Sequence, residues 1–323
     1  ERNMSKTNIM VTSNFSLCTE GLDILREVGN VTYLESPPRE EVLPRLAEID
    51  VYLGSPDIKI DTEFLAHAPS LEVVCTCSTG TDHVDIPALE SRDIALFSLK
   101  HERELLDSFT SVAEMTWGLL IACLRRIPYH FERAKRGEIR WWEDPAPAPH
   151  QLSGKTLGVF GVGRLGSMVV EYGKAFRMRV LGCDLKQFDI PGVEQVDFET
   201  LVRDSDIFSI HVHLTDLTRF VIDSEVISRM KPGVILLNTA RGDIVDEQAL
   251  IDALESGHIA AAGLDVFHNE WDPGLASHPL FEYARTHHNL IISPHIAGAS
   301  FESIVGARVF MAEKLARVLR GRD

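Results

Sequence analysis

One segment leaves this 323-residue chain few folds to choose from: the apolar run Leu157-Gly-Val-Phe160 passes directly into Gly161-Val162-Gly163-Arg164-Leu165-Gly166. A lone Gly-x-Gly-x-x-Gly pattern is weak evidence, but here its surroundings agree with it. A strand precedes it, the amphipathic stretch Leu165 to Phe176 follows, and a second strand ends at Asp184, 18 residues after Gly166. In such a strand–turn–helix unit, Gly161 makes the tight turn and Gly163 lets a pyrophosphate approach the backbone. Gly166 lets helix and strand pack closely. The helix N-terminus offers free N–H groups and a positive dipole end to the phosphates, and Asp184 can accept hydrogen bonds from the adenosine ribose. A carboxylate there repels a 2′-phosphate, and Leu185 and Lys186 offer no arginine fork, so NAD is the expected cofactor. The plainer alternatives are a glycine-rich turn with no ligand and an Asp184 that merely ends a strand.

The same alternation of strands and helices runs through the chain. Before residue 100, Asn8–Val11, Val31–Leu34, Val51–Leu53, Val73–Cys77 and Ile94–Phe97 read as strands, with helices over Gly21–Val28 and Arg39–Ile49. A long helix follows, with Ser111 and Glu114 at capping-box spacing before the run Met115 to Leu124 and Pro128 marking its end. Asp144 to His150 is proline-rich and reads as an extended surface connection. A second series follows, with strands Thr156–Phe160, Arg179–Cys183, Ile207–His211, Val234–Asn238, Ala261–Val266 and Leu290–Ser293. Strand–helix alternation implies parallel sheets covered by helices on both faces, hence an α/β chain of two doubly wound domains.

Three chemically capable residues fall just after three strands of the second series: Arg241, Glu270 and His295. Ligands of open α/β sheets bind outside the carboxyl ends of the strands. Adding a hydride to a ketone requires a proton donor for the developing alkoxide, and imidazolium suits that near neutral pH. A carboxylate touching the imidazole holds its tautomer and favours its charged form. A guanidinium binds a carboxylate and polarises the neighbouring carbonyl. The set matches the reduction of a 2-oxo acid, although alone His295 is more often a surface or satisfied residue, Glu270 more often a solvated loop carboxylate, and Arg241 as often a salt-bridge member.

Composition narrows the field further. Acids outnumber bases 48 to 32, giving −16, a charge that repels nucleic acid and anionic membranes. There is no apolar run of about 18 residues to span a bilayer, and Thr7 to Val11 is too short for a signal peptide. Cys18, Cys75, Cys77, Cys123 and Cys183 are scattered and odd in number. Cys75 and Cys77 would share one strand face, and without a second pair no metal is expected. Buried thiols in a reducing cytoplasm are the reading.

Asn238-Thr-Ala-Arg241-Gly-Asp-Ile-Val-Asp246, Gly263-Leu-Asp265-Val-Phe267, Pro294-His295-Ile-Ala-Gly298, the Ser111-Val-Ala-Glu114 helix and the glycine loop together resemble the D-isomer-specific 2-hydroxyacid dehydrogenases, in order and over nearly the whole chain. The resemblance implies a Rossmann NAD domain, 106–298, inserted into a flavodoxin-like substrate domain, 1–105 and 299–323, in a homodimer. It makes His295 the acid/base, Glu270 its partner and Arg241 the substrate anchor. It also makes Ser78-Thr79-Gly80 part of the loop whose amides hold the substrate carboxylate, and it adds Arg164, Leu165, Thr239, Ala240 and Asp265 to the cofactor set. There are departures: Ser78 stands where glycine is frequent, His213 stands at a common proline position, and the connection from Phe97 to Ser111 is long. Because Lys100, His101 and Arg103 add positive charge there, a substrate with a second anionic group held by Lys100 is one expectation. A solvated hinge paired with Glu102, Glu104 and Asp107 is the other. Two further readings compete: a nucleotide-sensing corepressor on this fold, and a formate- or phosphite-type dehydrogenase. The formate branch carries glutamine in place of Glu270.

Overall fold

The computed structural model describes residues 7–144, 146, 148–272 and 274–321. Pro145 and Pro147 of the proline-rich connection, and the ends 1–6 and 322–323 of the expected substrate domain, lie outside these. The chain divides into two compact units, residues 1–109 with 300–323, and residues 110–299. The sequence reading put the first break after residue 105; the unit boundary keeps the helix Arg103–Asp107 whole instead.

In the first unit five parallel strands are β1 (Thr7–Val11), β2 (Gly29–Tyr33), β3 (Val51–Gly54), β4 (Val73–Thr76) and β5 (Ala95–Phe97). Their order, β2-β1-β3-β4-β5, is that of flavodoxin-like sheets. β3 and β4 are buried at every position, as expected of central strands with helices on both faces. One face is covered by the helices Thr19–Val28 and Phe301–Arg320, which pack around Phe15, Leu25, Met311 and Leu315. Cys75 and Cys77 both face this core, as their alternation implies. Burial holds the Cys77 thiol up at about 12.

The second unit holds β6 (Thr156–Phe160), β7 (Arg179–Cys183), β8 (Val193–Gln195), β9 (Ile207–Ile210), β10 (Val234–Asn238), β11 (Ile259–Leu264) and β12 (Leu290–Ile292). All pair in parallel in the order β12-β11-β10-β9-β6-β7-β8. Counted from β6, this is the Rossmann order 3-2-1-4-5-6 with one strand added beyond the sixth. The helix Ser111–Leu124 lies on this sheet through Trp117, Leu120 and Cys123.

Several boundaries differ from those read in the sequence. The expected helix Arg39–Ile49 is a single turn, Arg39–Val42, followed by a tight turn, Leu43–Arg45. Pro44 is the reason, since it has no N–H to continue the ladder and its ring crowds the preceding turn. The helix at 111 starts behind Thr110, whose hydroxyl donates to Glu114 Oε1 at 2.5 Å and bonds no helix N–H, so Ser111 is the first helical residue and not the cap. That helix ends at Leu124, and Pro128 sits in the first turn of the next one, Ile127–Lys135. Proline is at home in that position because the first N–H groups of a helix have no partner anyway. β8 and the short helices Thr62–His67 and Ile86–Glu90 were not anticipated.

Candidate active site

The glycine turn leaves the carboxyl end of β6, the central strand of the second unit. Gly161 has φ of 96°, and a Cβ there would stand 2.7 Å from the backbone carbonyl of His211. A Cβ on Gly166 would lie 2.0 Å from the Gly161 oxygen, so the turn and the helix Arg164–Ala175 touch backbone to backbone. Around Gly163 a Cβ would meet nothing within 4 Å, and no side chain caps the helix that starts behind it. Two of the three glycines are thus required by the protein itself, and the third opens on space beside Arg164 and Leu165.

Asp184, after β7, is partly committed. Its Oδ2 accepts from the Val162 N–H at 2.8 Å and its Oδ1 from the Lys186 N–H at 3.0 Å. It therefore braces the glycine turn. A carboxylate has about four acceptor positions, which leaves some for ribose hydroxyls. Leu185 beside it is fully exposed.

Arg241 lies past the end of β10 in extended backbone. Asn238, which is buried, shapes its turn: its Nδ2 donates to the Arg241 carbonyl at 2.8 Å and its Oδ1 accepts from the Ala240 N–H at 3.0 Å. The Arg241 Nη1 donates to the Ala240 carbonyl at 2.7 Å. Thr239 is buried, with its hydroxyl 2.9 Å from that of Thr116. Asn238 and Thr116 were missed by the sequence reading; a polar residue closing an apolar strand was the available signal.

His295 and Glu270 are brought together, their Nδ1 and Oε1 2.9 Å apart. Only a nitrogen that carries hydrogen can donate to a carboxylate, so Nδ1–H faces Glu270 and Nε2 is left for other partners. The Trp271 ring lies 5.5 Å from the imidazole. His295 has φ of 52°, a left-handed conformation uncommon outside glycine and worth explaining at a chemical site. Asp265 explains how it is held. The His295 N–H donates to the Asp265 carbonyl at 2.8 Å. The Asp265 carboxylate accepts from the Ser293 hydroxyl at 2.5 Å, the Ile296 N–H at 3.0 Å and the Ala297 N–H at 2.8 Å. Asp265 was expected among the cofactor contacts; it is 1% exposed and serves the His295 loop. Glu270 Oε2 is buried with no hydrogen-bond partner among the described residues, a costly arrangement away from chemistry.

In the first unit, the Ser78-Thr79-Gly80 loop follows β4. The Ser78 hydroxyl donates to the Gly80 carbonyl at 2.7 Å and lies 2.8 Å from that of Thr76. Lys100 is exposed on a turn whose N–H donates to Ser98 Oγ at 3.3 Å. Arg103 pairs with Asp107 at 2.9 Å, and Glu102 with Lys314 on the C-terminal helix at 2.5 Å. Among the described residues no His/Cys/Asp/Glu cluster could hold a metal ion, and no helix is long and apolar enough to cross a membrane. A groove of about 930 Å³ in the second unit, lined by Lys155, Lys231 and His288 among others, contains none of these site residues.

A strand-end cradle for a dinucleotide after β6, a strained histidine on a carboxylate after β12 and an arginine after β10 now stand on one sheet. Comparison with known proteins gives the family. The model of the D-isomer specific 2-hydroxyacid dehydrogenase NAD binding domain matches residues 117–297. A glyoxylate reductase of Thermofilum pendens is 38% identical over 315 residues, 93% of this chain and 88% of that one. A D-3-phosphoglycerate dehydrogenase of Methanocaldococcus jannaschii is 35% identical over 318 residues, 97% of this chain but 57% of that longer protein. The crystal structure of the D-lactate dehydrogenase of Aquifex aeolicus, complexed with NAD and lactic acid, superposes with a TM-score of 0.84 at 28% identity, covering 98% of this chain and 96% of that one. With the matched NAD binding domain spanning more than half of its length, the chain belongs to the family of D-isomer specific 2-hydroxyacid dehydrogenases, oxidoreductases acting between 2-hydroxy acids and 2-oxo acids.

Proposed function

We propose that this protein reduces a small 2-oxo acid of the glyoxylate and hydroxypyruvate class to its 2-hydroxy acid, or runs the reverse oxidation, with His295, Glu270 and Arg241 as its chemical residues. The observation that carries the reading is the 2.9 Å contact between His295 Nδ1 and Glu270 Oε1. The names of the relatives, glyoxylate reductase and D-3-phosphoglycerate dehydrogenase, support the substrate class. They favour neither a corepressor nor a formate-type enzyme.

The residues fit the cofactor. Gly161 and Gly166 admit no Cβ, Gly163 faces open space, and the uncapped helix behind it offers N–H groups to a pyrophosphate. Gly161, Gly163, Arg164, Leu165 and Gly166 would line the phosphates, Asp184 the adenosine ribose, and Thr239 and Ala240 the strand end beyond. Bound NADH supplies the hydride. As charge develops on the substrate oxygen, the imidazolium of His295 gives up its Nε2 proton to it, while Nδ1–H stays on Glu270. The negative carboxylate keeps the imidazole oriented and favours its protonated form. Arg241 pairs with the substrate carboxylate and draws charge toward the carbonyl oxygen. In the oxidative direction neutral His295 takes the hydroxyl proton. The Ser78-Thr79-Gly80 amides, on the first unit, are assigned to the substrate carboxylate on the same reading. The two units are then the substrate domain and the NAD domain respectively.

A homodimer in the cytoplasm completes the proposal; Ile139 and Trp142, 76% and 66% exposed, are apolar surface of the kind partners cover. The test is turnover of glyoxylate, hydroxypyruvate, pyruvate and phosphohydroxypyruvate with NADH, run in both directions. Saturable reduction of at least one by the wild type and its loss in His295→Ala are expected. Binding of NADH with turnover of none would overturn the reading in favour of a sensor.

A further inference from the structure

The Arg241 and Glu270 loops are tied to each other by a second polar cluster that the reaction itself does not use. Asp243 follows Arg241 by two residues, and His268 precedes Glu270 by two. Asp243 Oδ1 lies 2.5 Å from His268 Nδ1, so the ring N–H donates to the carboxylate. The other oxygen of Asp243 is ion-paired with Arg219, from the segment after β9. The His268 N–H donates to Glu247 Oε1 at 2.6 Å, Glu247 being the first residue of the helix Glu247–Ser256. Glu247 Oε2 faces His278 Nε2 at 3.4 Å, and that nitrogen is also 3.1 Å from the His268 carbonyl. Beneath the side chains the two loops meet backbone to backbone: a Cβ on Gly242 would stand 2.0 Å from the carbonyl carbon of Phe267. The segment after β9 is laced in as well, since Phe220 N–H donates to the Asp243 carbonyl at 2.7 Å and the Phe220 ring lies against His268 at 5.7 Å.

The loop held this way needs holding. Past Phe267 it contains no regular structure up to Trp271, Asn269 has φ of 55°, and Trp271 is 57% exposed. Yet it must present one carboxylate oxygen to His295 within hydrogen-bond distance. Productive geometry at a catalytic contact tolerates about 0.5 Å of error, less than an unbraced surface loop delivers. We propose that Asp243 and His268 form a positioning clasp that fixes the Glu270 carboxylate on His295 and at the same time ties it to the Arg241 loop. The clasp touches neither substrate nor cofactor. It acts through Glu270, so its loss weakens the protonated form of His295 and leaves the Arg241 anchor in place.

The groups that face this clasp are Arg219, Asp243, Glu247 and His278, with the uncharged Phe220 and Phe267 rings. Burial raises the Glu247 carboxyl above its ordinary range, and the two histidines oppose that.

The inference rests on the proposed function, and the experiment separates the two. Full-length wild type, Glu270→Gln, His268→Leu, His268→Gln and Asp243→Asn are compared by kcat and KM for 2-oxo acid reduction with NADH across pH. Wild type without turnover would sink the functional reading itself. If wild type turns over and Glu270→Gln moves the alkaline limit of reduction, the clasp is then judged by its own variants. His268→Leu is expected to lower kcat roughly tenfold, move that limit in the same direction as Glu270→Gln, and change KM less than about threefold. His268→Gln, which keeps an N–H donor toward Asp243, should recover most of kcat. Asp243→Asn, nearly isosteric, covers the case in which His268→Leu does not fold, and should shift the same limit. Unmoved pH profiles in the clasp variants, or a rise in KM alone, would show a structural tie with no hold on Glu270 and overturn the inference.

Discussion

At the scale of single residues, candidates for the chemistry were more legible than their support. Gly161, Gly166, Arg241, Glu270 and His295 could be named as candidates because each combines a strand-end position with a suitable residue type. The bracing role of Asp265 could not: a carboxylate after a strand reads as a ligand contact, and its three donors at 2.5 to 3.0 Å appear only in the structure. The same limit hid Asn238, Asp243 and His268, whose partners are distant in sequence. Two outcomes follow at this scale. Arg241→Lys keeps the charge but not the planar fork, and should lose about 2–4 kcal/mol of transition-state stabilisation in kcat/KM; wild-type kinetics would place the anchor elsewhere. NAD should be used far more efficiently than NADP, because Asp184 meets the 2′-phosphate with a negative charge. Lys186, whose backbone is already turned onto Asp184, is the one cation near enough in sequence to offset it. Equal kcat/KM with both cofactors would contradict this.

At the scale of elements, apolar strands were readable even when short, as with β5 and β12, and the polar edge strand was not. β9 and β10 are buried throughout and apolar but for Ser209 and Asn238, whereas β8 is three residues, two of them Glu194 and Gln195, and its place at the sheet edge is set by pairing with β7. The one cap read from sequence, Ser111, is displaced by one residue to Thr110. The turn after β9 has a pH dependence of its own. The His211 ring, 2.7 Å from the Ser209 hydroxyl, is pushed down to about 4 by desolvation. A histidine depressed in the folded state costs stability as the unfolded chain protonates first. Stability should therefore be lost as pH falls from about 6.5 to about 4. Thermal unfolding of His211→Gln should show a flatter acid limb; an identical limb would rule this residue out. The connection carrying Lys100 reads from its contacts as a surface turn pinned by Glu102 to Lys314. Comparing Lys100→Ala on pyruvate and on a phosphorylated 2-oxo acid decides whether it also reads substrate: a KM rise confined to the dianion says that it does.

At the scale of the whole molecule, the alternation of strands and helices foretold two parallel-sheet folds, and the position of the glycine loop told which series binds nucleotide. NADH at 100 times its Kd should raise stability by about 2.7 kcal/mol through mass action. Asp184→Ala should lower that gain at a fixed NADH concentration, as seen in the melting temperature. The proposed chemistry turns on one pair, His295 and Glu270, and the pH dependence of 2-oxo acid reduction in wild type and Glu270→Gln tests it most directly. With the carboxylate gone, the protonated imidazole loses its partner, so the alkaline limit of reduction should move to lower pH, as should the acid limit of oxidation. Limits that stay where the wild type has them, in both directions, would contradict the account.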